Sequence, residues 1–377
     1  MDRAIVGILV AVVSFLGVGT IVNTVLPMPA PTFFRCCSHG NNFSSSCQYE
    51  EVTMNVLVTG GSGFIGSWVA EELAKEHTVL VIDNFSGGLT YQPKNCECLV
   101  ADLCTPMATA SIKTFQPEVL YHLAANAREG ASQFQPASVT NANIMAYVNT
   151  LEAAIAVRVK HVVLFSSMAV YGDQPPPFEE TMPCKPVDVY GVNKVAMEQV
   201  TEILAEVHDF SYTIIRPHNV FGPRQSLCDK FRNVVTIFMN SIMRHEPIYI
   251  YGDGEQTRAF SYIKDSLPCY IAAMELNSLP VNIGGTEPIS INKLAALVIA
   301  NFPEYSPEII HLPDRPREVK HAYCSFLRSV RLLGYEERVG LEEGIRRTAA
   351  WAKEQGPQEW THEKMPLLSD KMPKIWR

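Results

Sequence analysis

Tyr190 and Lys194 stand four residues apart, a spacing that puts two side chains on one face of a helix. A phenol with a pKa of about 10 is a poor base at neutral pH. An ammonium beside it favours the phenolate and lowers that pKa, so the pair could take a proton from a substrate hydroxyl. Ser167, just after the apolar run Val162–Phe165, can hydrogen-bond both a reacting hydroxyl and the phenol. Tyr-x-x-x-Lys alone is common, and an exposed helix pair accounts for most such matches. Its weight comes from the segments that precede it.

Those segments open with Asn55–Thr59, a short β-branched run of the kind that forms a buried parallel strand. Gly60-Gly61-Ser62-Gly63-Phe64-Ile65-Gly66 follows, and then a stretch with helical period. Strand, glycine turn and helix in that order mark a dinucleotide site. Gly60 permits the turn, Gly63 lets the backbone approach a pyrophosphate at the helix N-terminus, and Gly66 lets helix and strand pack closely. The second strand, Thr78–Ile82, ends at Asp83, whose carboxylate can accept from both adenosine ribose hydroxyls and would repel a 2′-phosphate; NAD is therefore expected over NADP. Further strands are expected at Cys98–Ala101, Val119–His122 and Val162–Phe165, separated by helices. The alternation predicts an α/β fold: a Rossmann-type doubly wound parallel sheet with ligands at the carboxyl ends of its strands, where Asp83, Asp102, Ala124–Asn126 and Ser167 fall.

Read together, TGGSGFIG (59–66), Asp83, HLAA (122–125), SSMAVYG (166–172), YGVNK (190–194), RPHNVFGPRQ (216–225) and GDGEQTRAFSYIKD (252–265) resemble the extended short-chain dehydrogenase/reductase family, the nucleotide-sugar epimerases and dehydratases, over about residues 54–330. The resemblance implies a catalytic set of Ser167, Tyr190 and Lys194. It implies a cofactor site of Gly60, Gly63, Phe64, Ile65, Gly66, Asp83, Asp102, Leu103, Ala124 and Ala125, joined by Tyr190 and Lys194. A smaller C-terminal α/β domain would bind the substrate. In it Asn219 would contact the sugar diphosphate, Arg258 and Arg315 would clamp its phosphates, and Tyr249 would wall the uridine. The domains expected are an anchor and linker over 1–53, an NAD-binding domain over 54–216 and a nucleotide-sugar domain over 217–377, with some chain exchange between the last two. His122 and His218 are expected to be packed rather than catalytic.

The dehydratases place Asp-Glu directly after the hydroxyl residue, and the UDP-glucuronate decarboxylases a Glu at the second of those places; here they are Met168 and Ala169. The minimal Ser–Tyr–Lys set that remains resembles the UDP-hexose 4-epimerases. The expected reaction is reversible oxidation at sugar C4 through a transient 4-keto sugar, with Tyr190 removing and returning the hydroxyl proton. Seven residues after Arg315, Ala322 takes the place that gates the sugar pocket in that branch. A small side chain there would admit N-acetylated hexoses. Arg317 departs from the usual arginine-x-glycine-acid pattern. UDP-glucuronate decarboxylation or epimerisation is the nearest alternative, and a non-catalytic NAD-binding scaffold the next. A homodimer is implied, through the Tyr190 helix and the helix near Asn141–Val157.

The chain of 377 residues is long enough for a full core, and its formal charge of −8 argues against a nucleic-acid partner. Ten cysteines without paired CxxC spacing point to neither a disulfide-built fold nor structural zinc, and no metal is expected. Residues 4–34 carry no charge and are long enough to span a bilayer. A single N-terminal membrane helix is therefore expected, with the Golgi or endoplasmic reticulum as the compartment and the side undetermined. Asn42 and Asn84 both begin glycosylation sequons, and the second falls in the expected cofactor site.

Overall fold

The computed structural model describes residues 53–361 and 365–376. Six strands run in sequence through its first part: β1 (Asn55–Thr59), β2 (Thr78–Asp83), β3 (Glu97–Val100), β4 (Val119–His122), β5 (His161–Phe165) and β6 (Ser211–Pro217). With the later strand Leu279–Ile283 they form one seven-stranded sheet, ordered Leu279–Ile283, β6, β5, β4, β1, β2, β3, in which every pair is parallel. The order reverses between β1 and β4, and a crevice opens at such a point beyond the carboxyl ends of the strands.

Both faces of the sheet are covered. Along β1, Val56 and Val58 enter one apolar cluster and Leu57 the other, as alternate side chains of a strand must. Helices α1 (Phe64–Leu73), α2 (Pro106–Phe115), α3 (Glu129–Ser132), α4 (Pro136–Thr140), α5 (Ala146–Ala156) and α6 (Val189–His208) connect the strands. Among these α1 packs on the Val56 side, while α5 and α6 close the Leu57 side through Leu151 and Met197. The remaining strands are short. Ile248–Tyr251 pairs with Ile309–Leu312, and Thr257–Ala259 lies between Pro288–Ser290 and His321–Ala322. These pieces stand over the carboxyl ends of the large sheet.

The expected membrane anchoring is corrected. Among the described residues no helix is long and apolar enough to cross a membrane. The one helix of spanning length, α6, carries Lys194, Glu198, Glu202 and Glu206 within its 20 residues, charges that a bilayer interior does not tolerate. The stretch 4–34, on which that expectation rested, and the sequon at Asn42 lie outside the described residues.

Candidate active site

A cavity of about 1040 Å³ runs across the carboxyl ends of the sheet, from the β1–α1 turn to the C-terminal segment. At its first end Gly60 has φ +70, and a Cβ there would meet Ala124 N at 2.6 Å. A Cβ on Gly66 would enter the Gly60 carbonyl. Helix α1 begins at Gly63 with no side-chain cap, so its first N–H groups are left for a ligand. Asp83 accepts from the N–H groups of Ser62 (3.0 Å) and Phe85 (2.8 Å). Burial raises its pKa against those bonds. Gly60, Gly63, Phe64, Ile65, Gly66, Asp83, Asp102, Leu103, Ala124 and Ala125 all line this end. The uncapped helix start, the cradle that only glycines permit and the carboxylate at the β2 end fit a dinucleotide. Asn84, the second sequon, lines it too, and its amide donates to Asp102 Oδ2 at 3.1 Å.

Midway along the cavity lie Ser167, Tyr190 and Lys194, all buried. Ser167 lies two residues beyond β5 and caps the short turn Met168–Tyr171, accepting from Ala169 N–H at 3.1 Å. Asp188 caps α6 through Gly191 N–H at 2.7 Å. Gly191 allows the close approach of these two elements, since a Cβ on it would sit 2.8 Å from Ala169 O. The result is that the Ser167 hydroxyl lies close enough to the Tyr190 phenol to favour its phenolate. Lys194 donates to Phe165 O at 2.7 Å and holds its Nζ 5.7 Å from the Tyr190 ring centroid.

The electrostatics differ from the expectation that the neighbouring ammonium controls the phenol. Burial, then the Glu129 carboxylate, push the Tyr190 pKa upward, while the Ser167 hydroxyl and Arg232 oppose them. Burial also brings Lys194 down to about 8, with Glu198 opposing. The physical reason is that α6 is buried at this point, and desolvation penalises both charged forms. His122 and His218 are fully buried with lowered pKa values, burial being the main cause. His122 Nδ1 meets Thr59 Oγ1 at 2.9 Å.

Beyond the tyrosine the cavity is lined by Asn219, Tyr249, Arg258, Arg315 and Ala322. Asn219 donates to Ala259 O at 3.0 Å. The two arginines are not free. Glu318 accepts from Arg258 at 3.1 Å and from Arg315 at 2.6 and 2.9 Å, and Arg258 also serves the carbonyls of Thr257, Val319 and Lys320. A single carboxylate thus bridges both cations, as an anionic group of a ligand could. Glu129, which sequence reasoning passed over, also lines the cavity. Glu129 is exposed to the cavity, yet the partial desolvation it meets there and then Asp188 push its carboxyl up to about 7, with Arg258 and Arg315 opposing. No periodicity signals such a residue, because it starts a helix of four residues. Lys230, Trp360 and Trp376 are further lining residues that no motif announced.

A doubly wound sheet with a dinucleotide cradle beside a Ser–Tyr–Lys cluster defines an enzyme of the NAD-dependent oxidation–reduction type. The chain belongs to the NAD dependent epimerase/dehydratase family, whose model matches residues 56–284. The solved UDP-glucose 4-epimerase of Thermotoga maritima, with UDP-glucose, is 32% identical, with a TM-score of 0.76 and coverage of 80% of this chain and 99% of that one. The Thermus thermophilus UDP-glucose 4-epimerase complex with NAD is 30% identical, with a TM-score of 0.74 and coverage of 79% and 98%. The UDP-glucuronate 4-epimerase of Thermodesulfobacterium geofontis is 31% identical over 315 residues, which are 79% of this chain and 96% of that protein. NAD is the cofactor of this family and of this chain.

Proposed function

We propose that the chain interconverts UDP-hexoses epimeric at C4, with residues 54–216 holding most of the NAD site and 217–377 most of the nucleotide-sugar site. The observation that carries this reading is the cluster of Ser167, Tyr190 and Lys194 at mid-cavity, followed by Met168 and Ala169, neither of which can move a proton. NAD, when bound, supplies a hydride acceptor that returns the hydride, and a cationic ring. Ser167 Oγ positions the sugar hydroxyl. Tyr190, as the phenolate that the positive charge of Lys194 would favour against its burial, takes the C4 hydroxyl proton as the carbon is oxidised, becoming the phenol, and returns that proton when the opposite face is reduced. Lys194, fixed on Phe165 O, holds a positive charge beside the phenol and a donor toward the cofactor. Arg258 and Arg315 exchange Glu318 for the diphosphate. The stripe of Val192, Ile203 and Val207 exposed on α6 suits pairing of two copies through that helix. Incubating the full chain and NAD with UDP-glucose, UDP-N-acetylglucosamine and UDP-glucuronate, and following products by NMR, tests the reading. C4 epimers of the neutral hexoses are expected, and carbon dioxide from UDP-glucuronate would overturn it in favour of decarboxylation.

Glu129 favours neutral sugars. Below about pH 7 its carboxyl is protonated, and above it a negative charge stands in the cavity. A uronate is ionised throughout that range, so the repulsion grows as pH rises. Binding of UDP-glucuronate should therefore weaken more steeply as pH rises through 7 than that of UDP-glucose, whose diphosphate alone meets the new charge. Glu129→Gln should flatten the difference; titration calorimetry at pH 6 and 8 reads it, and an unaltered uronate profile in the variant removes Glu129 from the account.

Ala322, 3% exposed, is strand-paired with Arg258 and packs in the cluster of Met168, Tyr171 and Phe178. Ala322→Tyr should lower turnover of UDP-N-acetylglucosamine by at least about tenfold while sparing UDP-glucose, because lost pocket volume discriminates by bulk. Equal turnover of the N-acetyl sugar by variant and parent would dismiss Ala322 as the gate.

A further inference from the structure

The far wall of the cavity is built by residues after the helix Leu341–Gln355. Trp376 is 8% exposed and packs with Ala131, Phe134, Met365 and Met372. Its ring stands edge-on to Phe231 (5.0 Å between centroids) and to Phe134 and Tyr251 (6.1 Å each). Arg315 lies 5.0 Å from the Tyr251 ring. The same three parts meet at Gly130, where a Cβ would lie 3.1 Å from the Trp376 ring and 3.6 Å from Arg315 Nη1. The segment is anchored along its length. Gln358 N–H donates to Asn240 Oδ1 (2.9 Å), Thr361 N–H to Cys228 O (2.9 Å) and Leu367 N–H to Phe134 O (3.1 Å). Trp360 Nε1 donates to Glu246 Oε2 at 2.6 Å, and Lys230 stands 5.6 Å from its ring. Trp360, Ile375 and Trp376 all face the cavity.

We propose that residues 356–361 and 365–376 form a nucleobase wall, with Trp376 bracing Tyr251 and Arg315 and with Trp360 and Trp376 closing the end of the cavity. The inference rests on the UDP-hexose reading. With the sugar at Tyr190 and the diphosphate at Arg258 and Arg315, the base of the nucleotide must lie on the far side of the arginines. That is where the two indoles stand. Aromatic faces suit this end because a base stacks on them without hydrogen-bond readout.

UDP alone is the probe, since it carries the base and diphosphate but no reacting sugar. Trp376→Ala should weaken UDP binding by roughly tenfold and raise KM for UDP-glucose by a similar factor, with kcat held within about twofold because no atom of Trp376 is placed at the reacting carbon. Trp376→Phe, the better-tolerated variant, should weaken UDP binding less and lose the Trp376 share of the tryptophan-emission change that UDP causes in the parent chain, leaving that of Trp360. Equal UDP affinity and KM in parent and folded variants overturns the wall, and so does an emission change that survives Trp376→Phe intact. If the parent chain with NAD binds no UDP, the UDP-hexose reading fails and takes the wall with it. Parent binding with indifferent variants sinks the wall alone.

Discussion

Replacing Tyr190 by Phe is expected to lower kcat with UDP-glucose by about 10²–10⁴-fold, the range a positioned proton-transfer group contributes, while NAD and UDP still bind. The substitution deletes one oxygen. It leaves the ring, its place beside Lys194 at 5.7 Å and the cap of α6 at Asp188 unchanged. Ser167 keeps the N–H of Ala169, so the turn that carries it stays in place. Single-turnover measurements separate this from a binding defect: oxidation of the sugar should slow as much as overall turnover. A variant that keeps more than a tenth of parental kcat would show that another group, Glu129 foremost, can take the proton.

Gly66→Ala should damage both the fold and the cofactor site. The added carbon would lie inside the Gly60 carbonyl and against Gly61 Cα, and backbone on that side cannot retreat without moving the turn that begins α1. Overpacking of this kind costs about 1–3 kcal/mol, and more where only backbone could yield. The same displacement shifts the uncapped helix start at Gly63, so loss of NAD binding should exceed what the loss of stability explains. Denaturant unfolding with and without NAD reads both effects. In the parent, saturating NAD raises the midpoint through linkage; in the variant it should not. A variant that unfolds at the parental midpoint and still gains stability from NAD would show that the turn tolerates the methyl.

Five strands of the sheet were legible because they are short, apolar runs closely followed by residues with chemical character, whereas Ser211–Pro217 and Leu279–Ile283 were not read. Boundaries moved by one residue: β3 is Glu97–Val100 rather than Cys98–Ala101, and β5 begins at His161. The glycine turn and the Tyr–Lys pair were equally legible, since their meaning lies in local spacing. What the spacing could not carry is electrostatics in three dimensions. Glu318 and Arg258 are 60 residues apart and meet only when Thr257–Ala259 lies beside His321–Ala322. The phenol's pKa depends on how deeply α6 is buried and on Glu129 from another loop. The aromatic wall was invisible for the same reason: Phe134, Phe231, Tyr251 and Trp376 have no common period, and only the folded chain gathers them.

The edge strand Leu279–Ile283 pairs with β6, yet some sixty residues that build the upper layer separate the two. A ribosome must therefore deliver most of the polypeptide before the large sheet acquires its last member. Until then β6 offers an open, hydrogen-bond-hungry border to any neighbouring nascent chain. Truncations ending between 218 and 278 should thus aggregate rather than yield a soluble nucleotide-binding half.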